Sequence, residues 1–266
     1  MPDKLVMMLR LEKGLAGNRQ HGSMLTLKKL GWLAFNTIQL VLTLSWSMFW
    51  ISIALIIRVV TGDAHVPLRM AAWIWSPFLV YGSLSRFEVQ GREQVDFARP
   101  HVFVANHSSM IDICALFMAI PVPLRFILKA ELGKVPFLGW YTRAMGMVLI
   151  KRGGARDTAR QLQRAADLLG QGHSMAAFPE GTRSTTGQLR RFKPGAFRVA
   201  ISAGVPVVPV VIEGTRQVMP PGGFHIRPGR IRVRLGEPIE TRALQPSDGQ
   251  QLADRVRRVI EQMRLQ

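Results

Sequence analysis

Val102-Phe-Val-Ala-Asn106-His107-Ser-Ser-Met-Ile-Asp112-Ile-Cys114-Ala-Leu-Phe-Met-Ala-Ile120 runs from a short apolar stretch, through a polar turn, into a longer apolar stretch without Gly or Pro. The first run reads as a buried strand and Met110 to Ile120 as a helix, which places His107 at a strand end. His107 and Asp112 are five residues apart. On one regular helix they would diverge by about 140°. They meet only if His107 precedes the helix and Asp112 sits in its first turn. Two readings then fit. Ser109 and Asp112 match a capping box, in which the acid satisfies an orphan amide. That leaves Asn106 and His107 without a role. Alternatively, Asp112 bonds one imidazole nitrogen of His107, fixes its tautomer, and leaves the other nitrogen to accept a proton from an alcohol.

The pattern repeats on both sides. Short apolar runs at His101–Ala105, Arg125–Leu128, Met147–Ile150, Ser174–Phe178 and Val207–Ile212 predict strands. Arg230–Leu235 alternates strictly, with arginines on one face and Ile231, Val233 and Leu235 on the other. The arginine face could touch lipid headgroups or form a solvated edge. One-sided stripes predict two helices, one carrying Ala155, Ala159, Leu162, Ala166 and Leu169, the other Leu252, Val256, Val259 and Met263. Strands alternating with helices imply an α/β fold, with a mixed, largely parallel sheet flanked by helices.

A second polar turn follows another strand-like run. Phe178-Pro-Glu180-Gly181-Thr182-Arg183-Ser184 combines turn residues with a charged pair. Gly181 permits close backbone approach, and the guanidinium of Arg183 offers a fork of donors suited to phosphate. Glu180 could bond a hydroxyl or orient Arg183. A surface Glu–Arg pair in a plain turn would look the same and would contribute little.

The chain has 266 residues, 48% of them apolar, and a formal net charge of +18. That charge implies an anionic partner: nucleic acid, an acidic membrane surface or a phosphorylated substrate. No nucleic-acid motif accompanies it, so nucleic acid is not expected. Cys114 stands alone, which excludes an intrachain disulfide and a cysteine-based zinc site. No metal ligand set of familiar spacing is present. From Leu30 to Ile57 the chain carries no charge, long enough for a spanning helix, with Trp32, Trp46 and Trp50 as interface anchors. Met70 to Ser85 is also uncharged, but short and interrupted by Pro77, and reads as half-inserted or interfacial. Lysines and arginines crowd both the first 29 residues and the region after 85, whereas 58–69 carries only Arg58 and Arg69. The positive-inside rule then favours a helix pair with both basic regions on the cytoplasmic face. The expected organisation is a basic arm (1–29), an N-terminal two-helix membrane motif (30–85) and an α/β domain (86–266).

The two turns together resemble the glycerolipid acyltransferase family. Asn106 to Asp112 match its NHxxxxD block and Phe178 to Ser184 match FPEGTRS at every position. Gly146-Met-Val-Leu-Ile-Lys-Arg152 and Val205-Pro-Val-Val-Pro-Val-Val-Ile212 are similar to its other two blocks. The resemblance implies transfer of a fatty acyl group from an acyl thioester, acyl-CoA or acyl carrier protein, to the free hydroxyl of lysophosphatidic acid, with no resident cofactor. It implies His107 as general base and Asp112 as its orienting partner. It also implies Glu180, Gly181, Thr182, Arg183, Arg152 and Lys129 around the acceptor's phosphate. Other acceptors remain open, a lyso-ornithine lipid or another lysophospholipid among them, as does a basic membrane-binding module without catalysis.

Overall fold

The computed structural model describes residues 2–151 and 154–265, with side chains from Lys29 onward except Ala155. The chain packs as two units, Met1–Leu42 and Thr43–Gln266. Helix α1 (Pro2–Thr61) carries the long apolar stretch, and within it Lys29–Thr61 is long and apolar enough to cross a membrane. Large apolar side chains along that stretch, from Leu33 to Val60, are exposed.

Among the described residues, seven strands form one sheet. In chain order they are β1 (Arg86–Gln90), β2 (Val102–Ala105), β3 (Leu124–Lys129), β4 (Val148–Ile150), β5 (Ser174–Ala177), β6 (Val207–Glu213) and β7 (Arg230–Leu235). Their spatial order is β1-β7-β6-β2-β5-β3-β4. Every pairing is parallel except β6 with β7, so the sheet is mixed and largely parallel. The central strands are buried on both faces, which is why they read as continuous apolar runs. Phe103 and Ala105 of β2 belong to one core, Val102 and Val104 to the other. The first core lies under α4 (Ile111–Ala119), with Tyr141 and Ala144 of α5 (Leu138–Ala144) packed against it, and the second under α6 (Ala155–Gly170), α7 (Gly195–Ala203) and α9 (Gly249–Leu265). Phe103, Phe126, Phe192 and Phe197 are among the largest fully buried side chains, each worth about 1.5–3 kcal/mol of burial. The α6 stripe buries Ala166 and Leu169 as expected, but Ala159 is exposed.

Strand β1 escaped the sequence reading, which placed only a domain boundary, at 85/86, where this strand begins. Phe87 and Val89 pack against the first core, while Arg86 and Gln90 are exposed. On β7, Ile231, Val233 and Leu235 are buried. Its arginine face is paired: Glu88 takes Arg230 at 3.3 Å and Arg232 at 3.4 Å, and Glu213 takes Arg234 at 3.2 Å. It is a half-exposed, ion-paired face of a strand that lies between β1 and β6, so it is not a sheet edge.

The second uncharged run folds as α2 (His65–Met70), a π-helical turn (Ala71–Trp75) and α3 (Ser76–Gly82). Pro77 lacks an amide and crowds the preceding turn, and the wider π turn absorbs that just before it. This segment is not a free membrane element. Leu68, Ala71 and Val80 are buried in the first core, and only one flank, with Trp73, Tyr81 and Leu84, is exposed. The division expected at 85/86 therefore does not separate the packing, because 65–82 belongs with the sheet. Trp46 stacks on Phe78 at 4.2 Å and Trp50 meets Trp46 edge-on at 5.5 Å, so both serve aromatic packing.

Gly214 turns β6 into the short α8 (Thr215–Val218). Its φ is +81°, and the Arg230 carbonyl occupies the place of a Cβ. Gly214→Ala adds backbone strain to a steric overlap. The expected loss is about 3 kcal/mol, or about 6–12 °C in melting temperature for a chain of this size. Thermal unfolding in detergent checks it; an unchanged melting temperature would contradict the close approach.

Candidate active site

Strands β2, β5 and β6 are neighbours and run in one direction, so their carboxyl ends open onto one edge of the sheet. Open α/β sheets form their crevices there. The ladder between β2 and β6 ends at Ala105↔Val210. Asn106 then continues it with its side chain: the amide nitrogen donates to the Ile212 carbonyl at 2.9 Å, and the amide oxygen accepts the Ile212 N–H at 2.8 Å. The sequence reading gave Asn106 no role. Its buried amide fixes where the chain leaves the sheet, one residue before His107.

His107 is held on every side but one. Its backbone N–H donates to Glu180 Oε1 at 2.8 Å, and its carbonyl accepts the Ser184 N–H at 2.7 Å. Its ring lies on that of Phe178, with centroids 4.0 Å apart and planes 17° from parallel. Nδ1 lies 2.9 Å from Asp112 Oδ2. A carboxylate only accepts, so Nδ1 carries the hydrogen and Nε2 of the neutral ring is the acceptor. Among the described residues, Nε2 has no hydrogen-bond partner, and the side chain keeps 14% of its surface exposed.

Asp112 is fully buried and does both jobs that the sequence left open. Its Oδ2 also accepts the N–H groups of Ser108 at 2.7 Å and Ser109 at 2.8 Å. The acid half of the capping box is therefore present. The serine half differs, since Ser109 Oγ accepts the Ile111 N–H at 3.3 Å and donates to the Met219 carbonyl at 2.7 Å. The helix begins at Ile111, two residues beyond Ser109. Ser108 Oγ lies 3.3 Å from Thr215 Oγ1, which ties the turn to the segment after β6.

Glu180 is neither a surface residue nor a partner of Arg183. It is 4% exposed, and its second oxygen accepts the Arg190 N–H at 3.1 Å. Burial pushes its carboxyl above the usual range, and the two amide bonds oppose that push. With both oxygens engaged by backbone, Glu180 positions the histidine loop. Gly181 turns the chain at φ +72°, and a Cβ there would lie 2.9 Å from Lys193 Nζ. Thr182 and Arg183 follow, both half-buried. Among the described residues, the Arg183 guanidinium makes no hydrogen bond or ion pair. The loop is clasped from outside by Arg216, which donates to the Thr185 carbonyl at 2.6 Å. Lys129 ends β3, the other neighbour of β5, at the same edge of the sheet. Arg152 lies outside the described residues. Cys114 is buried, its thiol pushed up to about 12 by that burial, so it carries no nucleophilic thiolate.

A model of the acyltransferase family matches residues 86–213, which contain both turns. The chain is 30% identical over 227 residues to the 1-acyl-sn-glycerol-3-phosphate acyltransferase of Saccharomyces cerevisiae, covering 83% of this chain and 74% of that one. The chain belongs to the acyltransferase family. It is also 36% identical over 199 residues to the chloroplastic 1-acyl-sn-glycerol-3-phosphate acyltransferase BAT2 of Brassica napus, covering 71% of this chain and 57% of that one. The crystal structure of the 1-acyl-sn-glycerophosphate acyltransferase PlsC from Thermotoga maritima superposes with a TM-score of 0.75 at 26% identity. It covers 90% of this chain and 98% of that one. The chain spans about half the length of several plant and algal relatives, for example 47% of that from Arabidopsis thaliana. Within this member of the acyltransferase family, the residues whose structural role sequence reasoning missed are Asn106, Phe178 and Thr215. Asn106 and Phe178 lay inside the matched blocks, and Thr215 stood three residues past the predicted strand Val207–Ile212, with no pattern to mark it.

Proposed function

We propose that the chain is a membrane-bound 1-acyl-sn-glycerol-3-phosphate O-acyltransferase, with its catalytic domain on the cytoplasmic face. The observation that carries the reading is His107, bonded through Nδ1 to buried Asp112, with Nε2 open beside the turn that bears Arg183. Lysophosphatidic acid presents a phosphate to Arg183, with Lys129 and Arg152 as further cations. Gly181 and Thr182 line the approach. Nε2 of His107 removes the proton of the free hydroxyl, and the oxygen attacks the thioester carbonyl. A C–O bond forms, the tetrahedral intermediate collapses with loss of the C–S bond, and the imidazolium returns its proton to the thiolate. Asp112 stabilises the imidazolium in between. No covalent acyl-enzyme is required.

The intermediate's oxyanion needs donors. The amides of His107, Ser108, Ser109, Gly181 and Ser184 are already engaged. Those of Thr182 and Arg183 remain as the candidates. The exposed apolar helix Lys29–Thr61 and the family relationship support membrane attachment, and the lysines and arginines of 1–29 and of the domain support a cytoplasmic orientation.

Arg183→Ala is expected to raise KM for lysophosphatidic acid about 10–100-fold, the scale of one or two charge-assisted hydrogen bonds. Transfer to an unphosphorylated monoacylglycerol should change little. Equal losses with both acceptors would remove the phosphate role. The same assay run over lyso-ornithine lipid and other lysophospholipids decides the acceptor, and a chain inert with all of them would be a binding module.

A further inference from the structure

Residues 178–194 link β5 to α7 without helix or strand. Structureless connections beyond about 12–15 residues are uncommon in a compact domain, because their carbonyls have no ladder to join and need other donors. Helix α9 supplies donors from one face. Gln250 Nε2 donates to the Phe192 carbonyl at 3.4 Å. Arg257 Nε and Nη2 donate to the carbonyls of Arg190 and Leu189 at 3.3 and 3.4 Å. Arg264 Nη2 donates to that of Gly187 at 2.8 Å. The three donor residues stand seven apart in sequence, which returns a helix to nearly the same face. Segment 187–192 therefore runs along α9 in the opposite direction, held rung by rung as a neighbouring strand would hold it.

The middle rung leads to the base. Leu189 C=O and Arg190 N–H are the two ends of one planar peptide group. Arg257 takes the carbonyl end, and Glu180 Oε2 accepts the N–H end at 3.1 Å. Fixing the carbonyl thus aims the N–H at Glu180, whose other oxygen accepts the His107 N–H at 2.8 Å. Arg257 is itself held. Its third nitrogen, Nη1, meets Glu261 Oε2 at 3.2 Å, and its side chain is only 30% exposed. Val256 and Ile260 beside it are fully buried in the second core, so the helix is a rigid support. The outer rung differs. The turn that Arg264 holds is also closed by Ser184 Oγ, which accepts the Gly187 N–H at 3.0 Å and donates to the Gln188 carbonyl at 2.8 Å.

We infer that Arg257 is a positioning residue for the proposed acyl transfer: it fixes the Glu180 carboxylate, and through it the backbone of His107, against helix α9. This rests on the acyltransferase reading. Without the Arg257 fork the Leu189–Arg190 peptide is free to turn. Glu180 Oε2 then loses its amide, and the carboxylate that carries the His107 N–H is held from one side instead of two.

The test uses the full chain in detergent, with labelled transfer from palmitoyl-CoA to lysophosphatidic acid. Arg257→Ala should lower kcat about tenfold, part of the ~10² that a displacement of about 1 Å costs, with KM for both substrates unchanged. Arg257→Lys, which offers a point charge in place of a fork, should recover only part of the loss. Arg264→Ala and Arg258→Ala, the latter at an exposed position, should change kcat little. In a Glu180→Ala background, Arg257→Ala should cost nothing further, because the two residues act along one path. Equal losses in Arg257→Ala and Arg264→Ala would mean a general loosening of the segment, and full additivity with Glu180→Ala an independent effect; either overturns the inference. So would a lower melting temperature with kcat unchanged below the transition, the mark of a residue that only stabilises α9. Hydrogen exchange at the His107 amide should quicken in Arg257→Ala and not in Arg264→Ala. A wild type that transfers no acyl group while this exchange difference holds defeats the acyltransferase reading and leaves the positioning of His107 standing. Transfer lost in Arg257→Ala with exchange unchanged defeats the positioning.

Discussion

His107→Ala is expected to lower kcat about 10²–10⁴-fold, the range that positioned general acid–base catalysis contributes, with little change in KM for either substrate. The ring bonds to one side chain, stacks on Phe178 and is otherwise bound through its backbone, which alanine retains. The folded protein should survive the substitution. Asp112→Asn is the sharper variant. Oδ2 accepts two backbone amides and the imidazole. An asparagine can turn its oxygen to the amides and present –NH2 to neither, or turn the other way and lose them. Keeping the amides leaves the imidazole orientation without a charged partner, so kcat should fall by a similar factor while melting changes less. Labelled acyl transfer in membranes measures both. Activity of either variant within twofold of wild type would remove the pair from the mechanism.

Glu180→Ala should reduce kcat about 100-fold and also lower stability. The two effects have one origin. Two backbone amides lose a carboxylate acceptor, each such bond being worth about 1.5–3 kcal/mol, and the loop carrying the base relaxes. A displacement of about 1 Å at a reacting group costs about 10² in rate. Glu180→Gln retains one acceptor oxygen and should fall between wild type and alanine in both kcat and melting temperature. A residue that only held the acceptor would behave differently: KM for lysophosphatidic acid would rise while kcat and melting stayed the same. That outcome would reinstate the substrate contact that the sequence suggested for Glu180.

Glu180 also marks where sequence legibility stops. Phe178 to Ser184 looked like a phosphate loop, and the motif offered its acid and its arginine as equals. Burial separated them, turning Glu180 inward to backbone and leaving Arg183 outward. No local pattern encodes that, because the partners of Glu180 lie 73 and 10 residues away. The central strands were legible because a strand buried on both faces must be apolar throughout. β1 was not, because a five-residue edge strand with one buried face reads like the end of a loop. Spacing and helix geometry allowed the His107–Asp112 pairing but left a helix cap equally open, and the family resemblance is what favoured the pair. Its surroundings could not be deduced, since Ile212, which anchors Asn106, and Thr215 and Met219, which hold Ser108 and Ser109, lie 106 to 110 residues away and come close only through the β2–β6 pairing. The second uncharged run misled for a related reason: an apolar helix packed on protein and one lying in lipid have the same composition.

Asn106 gives the site a mechanical property. Because its amide stands in for a rung of the β2–β6 ladder, the base hangs from the stiffest part of the molecule, one residue beyond it. A single residue inserted into β2 would rotate His107 to the opposite face of the sheet and abolish the proposed acyl transfer with the chain's apolar content unaltered. An insertion of the same size at exposed Thr186, past the Ser184 anchor, would leave the base where it is. The tolerance of this chain to length changes should therefore be decided within a few residues, by the side of Asn106 or Ser184 on which each change falls.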